Sequence, residues 1–170
     1  MIIWFTGISG VGKTTLAKIT YKFLKKKNKN ILHIDGDIFR ELFANDLKYS
    51  LKDRNRNAER IINFVKLLNT QKINVIVSAN LTSKRYRTYC HKYFKKFYEI
   101  NIESDIKNLV SRDKKRIYNL TNKKNVVGFG IKNHKNNTAN YVIKNNLSRK
   151  ILIKNFNYFL KNTLRKFTFF

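Results

Sequence analysis

Three glycines, Gly7, Gly10 and Gly12, punctuate a short polar turn that runs into Lys13-Thr14-Thr15. Ahead of the turn, Ile2, Ile3, Trp4 and Phe5 form an apolar run of the kind a buried parallel strand needs. Behind it, Leu16, Ala17, Ile19, Tyr21, Phe23 and Leu24 recur at roughly helical spacing. The glycines therefore lie where a strand hands over to a helix. Residues 7–14 fit G-x-x-x-x-G-K-[ST], the phosphate-binding loop. Such a loop aims successive backbone N–H groups inward, in dihedrals that suit residues without a β-carbon. The helix that follows adds its own unsatisfied N–H groups and the positive end of its dipole. Lys13 then reaches the β- and γ-phosphates, and the Thr14 hydroxyl binds Mg²⁺. A glycine-rich turn with an incidental lysine is the alternative, and the strand–helix context speaks against it. Nucleoside triphosphate binding follows; the reaction does not.

Further apolar runs at residues 31–34, 73–77, 98–102 and 141–143 read as strands. Between them lie helical patterns at residues 58–68, 83–94 and 105–111, and 147–164 closes the chain. This alternation predicts an α/β fold, a three-layer α/β/α sandwich of P-loop NTPase type with a mostly parallel five-stranded sheet. With 170 residues and 42% hydrophobic content, one domain spanning 1–170 is expected. Residues 119–140 are polar, rich in Asn and Lys, and hold Gly128 and Gly130. A loop of that length inside a compact domain is functional or disordered, and its place favours a closing lid over approximately 113–138.

Composition removes several classes. Cys90 is the single cysteine, which excludes a disulfide framework and a cysteine-built zinc site. No stretch is long and apolar enough to span a membrane, and no secretory leader is recognisable, so a cytoplasmic enzyme without membrane partners is expected. The formal charge of +27 invites a nucleic-acid hypothesis. The lysines are dispersed, however, and runs such as Lys25-Lys26-Lys27 carry no accompanying nucleic-acid motif. A solvated basic surface that attracts polyanionic nucleotides is the expectation; a basic nucleic-acid-binding module is the alternative of another class.

After the second strand stands Asp35-Gly36-Asp37, followed by Arg40. Ligands of open α/β sheets gather beyond the carboxyl ends of the strands, so this tip should face the phosphate loop. One carboxylate there can bind Mg²⁺ directly or through water, and one can accept a proton from an attacking hydroxyl. Alternatively, Asp35 or Asp37 only caps the next helix. Further on, Arg54, Asn57 and Arg60 are spaced to share one helical face. Arg binds phosphate bidentately and Asn reads hydroxyls or base edges, although an ordinary polar face has the same pattern.

Taken in order, these segments resemble the adenylylsulfate kinase (APS kinase) family. GISGVGKTT is similar to the family's phosphate loop, DGDIFR to its DGDxxR, and DLKYSLKDRNRNAER to its DL-x-[FY]-S-x-x-DR-x-x-N-x-x-R. VIVSANLTSKRYR resembles the strand and ISP-x-R segment, FYEINIESDIKNLVSRDKKRIY the F-x-E-V…RD-x-K-x-[LI]-Y block, and NVVGFGI the lid's N-[FV]-[TV]-G-[IV] element. YVIKNN corresponds to the last strand, so the resemblance covers nearly the whole chain.

The resemblance implies MgATP-dependent phosphorylation of the ribose 3′-hydroxyl of adenosine 5′-phosphosulfate, by in-line transfer dominated by positioning and charge. It implies that Gly7, Ser9, Gly10, Val11, Gly12, Lys13, Thr14 and Thr15 hold ATP, with Arg112 over the adenine. Thr14 and Asp35 would hold the metal, and Asp37 would engage the 3′-hydroxyl as base. Arg40, Arg54 and Asn57 would hold the acceptor nucleotide, Tyr49 would stack on its base, and Val127 and Gly128 would close over it. A homodimer is also implied. Several departures bear on the acceptor rather than on ATP. Thr82-Ser83 stands in place of Ser-Pro, Asn119-Leu120-Thr121 replaces a basic stretch, and Lys132-Asn133-His134 replaces an acidic one. The alternative acceptor is a cytidine nucleotide carrying a phosphoramidate, the substrate of similar kinases in capsule synthesis. Adenylylsulfate is placed first because DGD and DR-x-x-N are intact.

Overall fold

The computed structural model describes residues 1–112, 124–131 and 136–163. In chain order the elements are β1 (Ile2–Thr6), α1 (Lys13–Lys25), β2 (Ile31–Asp35), α2 (Gly36–Glu41), α3 (Leu51–Thr70), β3 (Asn74–Ser78), α4 (Lys84–Tyr93), β4 (Phe97–Glu103), α5 (Ile106–Ser111), β5 (Tyr141–Lys144) and α6 (Arg149–Thr163). The strands form one five-stranded sheet in the order β2-β3-β1-β4-β5. Every pairing is parallel, with Ile2 in register with Val75 on one side and Phe97 on the other. β1 and β3 are buried at every residue, which is why their sequences are near-continuous apolar runs.

The strand pleat divides the core in two. Ile3 and Phe5 face Leu16, Ala17 and Leu24 of α1 and Leu152, Phe156 and Leu160 of α6. Ile2 and Trp4 face Ile61 and Val65 of α3 and Cys90 of α4. Each fully buried side chain of this size stabilises the fold by about 1.5–3 kcal/mol relative to exposure. Phe5 and Phe156 meet edge to face at 6.0 Å. Trp4 satisfies its buried indole N–H on the Ala79 carbonyl, 2.9 Å away, and so ties β1 to the segment leaving β3.

The three-layer expectation is met, and its differences have local causes. α3 begins at Leu51 rather than near residue 58 because Ser50 caps it. The Ser50 hydroxyl accepts from the Asp53 N–H at 3.1 Å and donates to the Asp53 carboxylate at 2.7 Å, so Asp53 is a capping residue. The first two turns of α3 are polar, and apolar periodicity cannot register them. α2 is only 6 residues long, too short for a periodic signature. Much of the expected lid, including Asn119-Leu120-Thr121 and Lys132-Asn133-His134, lies outside the described residues. Of the part within them, Val126 and Val127 are buried against the α1 side of the core.

Candidate active site

The phosphate loop is built on conformations that its glycines permit. Gly7 has φ +135°, and a β-carbon there would overlap the Ile102 carbonyl oxygen. Gly10 and Gly12 also lie at positive φ. Gly12 is the N-cap of α1; no side chain caps the helix and no acidic residue occupies its first turn. The leading N–H groups of α1 therefore face outward with the positive end of the dipole, an anion site in waiting. Lys13 Nζ donates to the carbonyls of Gly7 and Ile8, both at 2.8 Å, and bridges the loop on which phosphate would sit. Val11 is buried beneath the turn, and Asn145 Nδ2 donates to its carbonyl at 2.9 Å. Ser9 lies in the turn and Thr15 in the first turn of α1, both half-buried.

The tip of β2 faces this loop, as the strand order requires. Thr14 Oγ1 donates to Asp35 Oδ2 at 2.7 Å, and Ser78 Oγ at the end of β3 donates to the same oxygen at 2.8 Å. Asp35 Oδ1 accepts from the Asp37 N–H at 3.0 Å and caps α2. Asp35 thus takes the helix-capping role that the sequence allowed and also meets the threonine that follows the phosphate loop. Burial pushes its carboxyl up, but bonds from Thr14, Ser78 and the N–H groups of Asp37 and Ile38 together hold it below its usual value. Next to it, His33 Nε2 lies 3.0 Å from Ser78 Oγ. The Ser78 proton is committed to Asp35, so His33 is the donor in that contact. Burial, with Lys18 nearby, lowers the His33 pKa against the attraction of Asp35. A β-carbon at Gly36 would come within 2.8 Å of Ala79 Cβ, which is why glycine separates the two aspartates.

Thr14 and Asp35 fit a Mg²⁺ ion, which typically takes one or two protein oxygens and completes its shell with water and nucleotide phosphates. Among the described residues no group of three or more His, Cys, Asp or Glu side chains is placed to hold a metal by itself.

Asp37, Arg40, Tyr49, Arg54 and Asn57 come together around α2 and the start of α3. Arg40 is buried and reaches Asp37 Oδ1 at 3.4 Å, while the Asp37 side chain is about half exposed. The guanidinium carbons of Arg40 and Arg54 stand 4.7 and 5.4 Å from the Tyr49 ring centroid. Arg54 also donates to the Tyr49 carbonyl at 2.9 Å and to the Asn125 carbonyl at 3.0 Å, joining α3 to the segment 124–131. Asn57 Nδ2 donates to the Gly36 carbonyl at 3.1 Å; its buried Oδ1 and the buried Nε of Arg40 have no partner among the described residues. Arg60, on the same helix, is drawn off to the surface by a bidentate pair with Asp46 at 2.6 and 2.7 Å.

The remaining expected residues also make contacts within the protein. Val127 is buried in the core and bridges to Ile131. Gly128 donates to the Ile131 carbonyl at 2.8 Å and lies near Ile8. Arg112 donates to the Asn145 carbonyl and side-chain oxygen, both at 3.3 Å, and to the Leu147 carbonyl at 2.7 Å. It braces the segment whose Asn145 supports the phosphate loop.

A cleft of about 1000 Å³ opens beyond the ends of β1, β3 and β4 and reaches Gly7 and Ile8 of the loop. Leu51, Asn55, Thr82 and Arg87 line it as well. Thr82, one of the departures from the family pattern, donates to Asn55 Oδ1 at 3.1 Å. Sequence reasoning missed Ser78, Asn145, Asn55 and Arg87; only their neighbourhood to recognised motifs could have pointed to them.

A parallel sheet whose central strand feeds a phosphate loop, with the acidic tip of a strand two places away bonded to the loop threonine, defines a kinase of the P-loop class. A family model described as adenylylsulphate kinase matches residues 1–144, and the chain belongs to that family. The chain is 37% identical over 156 residues to a cytidine diphosphoramidate kinase of Campylobacter jejuni, covering 88% of this chain and 91% of that protein. It is 35% identical over 120 residues to an adenylyl-sulfate kinase of Buchnera aphidicola, covering 69% of this chain and 58% of that protein. The structure of the Mycobacterium tuberculosis APS kinase in complex with AMPPNP and APS superposes with a TM-score of 0.74 at 23% identity, over 94% of this chain and 95% of that one. At that identity the likeness is one of fold.

Proposed function

We propose that the chain transfers the γ-phosphoryl group of MgATP to the ribose 3′-hydroxyl of a nucleotide. The observation that carries this is the 2.7 Å bond from Thr14 to Asp35, with Asp37 two residues further on at the start of α2. It supports reading Thr14 and Asp35 as the metal-binding pair at the phosphate loop, and Asp37 as a second carboxylate on the side where Arg40, Arg54 and Asn57 gather. Asp37 accepts the proton of the 3′-hydroxyl as its oxygen bonds to the γ-phosphorus, and the bond to the bridging oxygen of ADP breaks. Lys13 turns from the Gly7 and Ile8 carbonyls to the β- and γ-phosphates, and the α1 amides hold the charge they carry. Thr14 and Asp35 would hold Mg²⁺, which would supply neutralisation of the charge that develops on the transferring phosphoryl group.

For the acceptor we favour a cytidine diphosphoramidate. The likeness to the Campylobacter kinase extends over nearly the full length of both proteins, whereas the match to the Buchnera adenylyl-sulfate kinase spans 58% of it. Adenylylsulfate is the second acceptor, favoured by the intact DGDIFR and DR-x-x-N motifs. Purified protein with MgATP and each acceptor decides: the expected product is the 3′-phosphate, absent in Lys13→Ala and Asp37→Asn. Transfer undiminished in both variants overturns the assignment. The proposed unit is a homodimer, which sedimentation would report directly.

A further inference from the structure

Arg87 lies on α4 and is 8% exposed, so most of the residue, its Nε included, is withdrawn from bulk water. Nη1 donates to the Leu81 carbonyl at 2.8 Å, while Nε has no acceptor among the described residues. No carboxylate pairs with it among the described residues. A buried guanidinium is costly unless an anion or a full set of acceptors replaces its water. Here the described protein groups supply one carbonyl.

The same side chain lines the large cleft, with Lys84 and Lys144 beside Glu103 and Asp105, three cations to two carboxylates. Glu103 is already engaged, accepting from Asn101 Nδ2 at 2.9 Å. α4 and α3 cover the Trp4 face of the sheet, whereas α1, which begins at the phosphate loop, covers the Phe5 face. Leu51 and Asn55, also in the cleft, belong to the helix that carries Arg54 and Asn57. The Arg87 guanidinium, with no carboxylate partner among the described residues, therefore stands on the acceptor's side of the sheet.

We propose that Arg87 binds the distal anionic group of the acceptor, the substituent beyond its 5′ α-phosphate, and so sets a preference for nucleotides that carry one. This rests on the acceptor being a 5′-substituted nucleotide. A guanidinium offers two parallel N–H donors to a tetrahedral oxyanion, which a lysine at the same place cannot. Arg40 and Arg54, gathered around Tyr49, are left to the nucleoside monophosphate part.

The test compares ligands that differ only in the distal phosphate. With the donor site saturated by AMPPNP and Mg²⁺, binding of CMP against CDP, and of AMP against ADP, is measured calorimetrically. The wild-type protein is expected to bind at least one diphosphate about tenfold or more tightly than its monophosphate. Arg87→Met should bring that diphosphate to the affinity of the monophosphate and leave the monophosphate within twofold. Arg87→Lys, which keeps the charge without the fork, should recover part of the preference and serves where the Met variant fails to fold. In transfer assays KM for the acceptor should rise with kcat little changed. Equal affinities in the wild type, no detectable binding of either diphosphate, or an equal loss for both members of a pair overturns the proposal. Absence of transfer to every acceptor would sink the kinase assignment instead, while the binding comparison still decides the role of Arg87.

Discussion

Thr14 and Asp35 are joined by a 2.7 Å hydrogen bond that links the first turn of α1 to the tip of β2. The bond crosses from the helix that follows the glycine-rich loop to the strand two places from β1 in the sheet. Because Ser78 on the intervening β3 donates to the same carboxylate oxygen at 2.8 Å, that oxygen is aimed by two hydroxyls. A carboxylate held this way needs little reorganisation when metal and triphosphate arrive, and preorganisation of this kind is where phosphoryl transfer gains its rate.

Removing the two ends of that bond should therefore cost rate rather than fold. Thr14→Val and Asp35→Asn are each expected to lower kcat by about 10²-fold or more, with Ser78→Ala milder at roughly tenfold. Steady-state transfer at saturating MgATP checks this, with circular dichroism confirming an unchanged fold. Full activity in Asp35→Asn would remove Asp35 from the metal site.

The same network gives the protein an acid-sensitive stability. Hydrogen bonds hold the Asp35 pKa below its ordinary 3.8 despite burial. Its contribution is therefore present above about that pH and lost as pH falls through the folded value. His33 acts at higher pH. Burial lowers its pKa from 6.5, so below 6.5 the unfolded chain binds a proton that the folded chain does not. Stability should fall as pH drops from 6.5 toward the folded value and then level off from this source. Urea titrations across pH 3 to 8 on wild type, Asp35→Asn and His33→Gln separate the two windows. The His33→Gln curve should be flatter between pH 5 and 6.5, and the Asp35→Asn curve flatter below 4. Identical pH slopes in all three would refute the account.

Some of this was legible in the sequence and some was not, for a physical reason. Gly7, Gly12, Lys13 and Thr14 are neighbours in the chain, so their spacing alone declares a backbone that wraps an anion. Arg54 and Asn57 lie on one helix, and helical geometry places them together. Ser78 and Asp35 are 43 residues apart, Glu99 and Asn136 are 37, and Asn145 and Val11 are 134. Their contacts depend on which strands are neighbours, and alternation of strands and helices fixes a parallel sheet without fixing the order β2-β3-β1-β4-β5. Arg112 shows the other limit: a basic residue in a recognised motif can spend its donors on backbone carbonyls, and no pattern of residue types reveals that.

Cys90 is fully buried on α4, and burial, with Glu99 nearby, pushes its thiol up to about 12. The thiolate is the reactive form, so the folded protein should resist alkylation at neutral pH. Iodoacetamide labelling followed by mass spectrometry should show modification of Cys90 only in denaturant. Rapid labelling of the native protein would contradict its burial.

Glu99 is wholly buried in β4 and gathers the chain that leads into β5. Oε1 accepts from Asn136 Nδ2 at 2.7 Å, and Oε2 lies 3.2 Å from both the Thr138 hydroxyl and His91 Nε2. The Glu99 backbone N–H donates to Asn140 Oδ1 at 2.8 Å. Asn136 and Thr138 also line the large cleft, so the carboxylate positions part of its wall. Glu99→Ala would leave those donors buried without acceptors, at a cost of about 3–5 kcal/mol. For a chain of this size that lowers Tm by roughly 6–20 °C. Glu99→Gln keeps an oxygen for one side and turns an amide toward the other, with about half the loss expected. Because the wall moves and the donor loop does not, KM for the acceptor should rise in Glu99→Gln while KM for MgATP stays within twofold. A thermal shift without the KM split would make Glu99 a core residue only, and no change in either would dissolve the proposed link between β4 and the cleft.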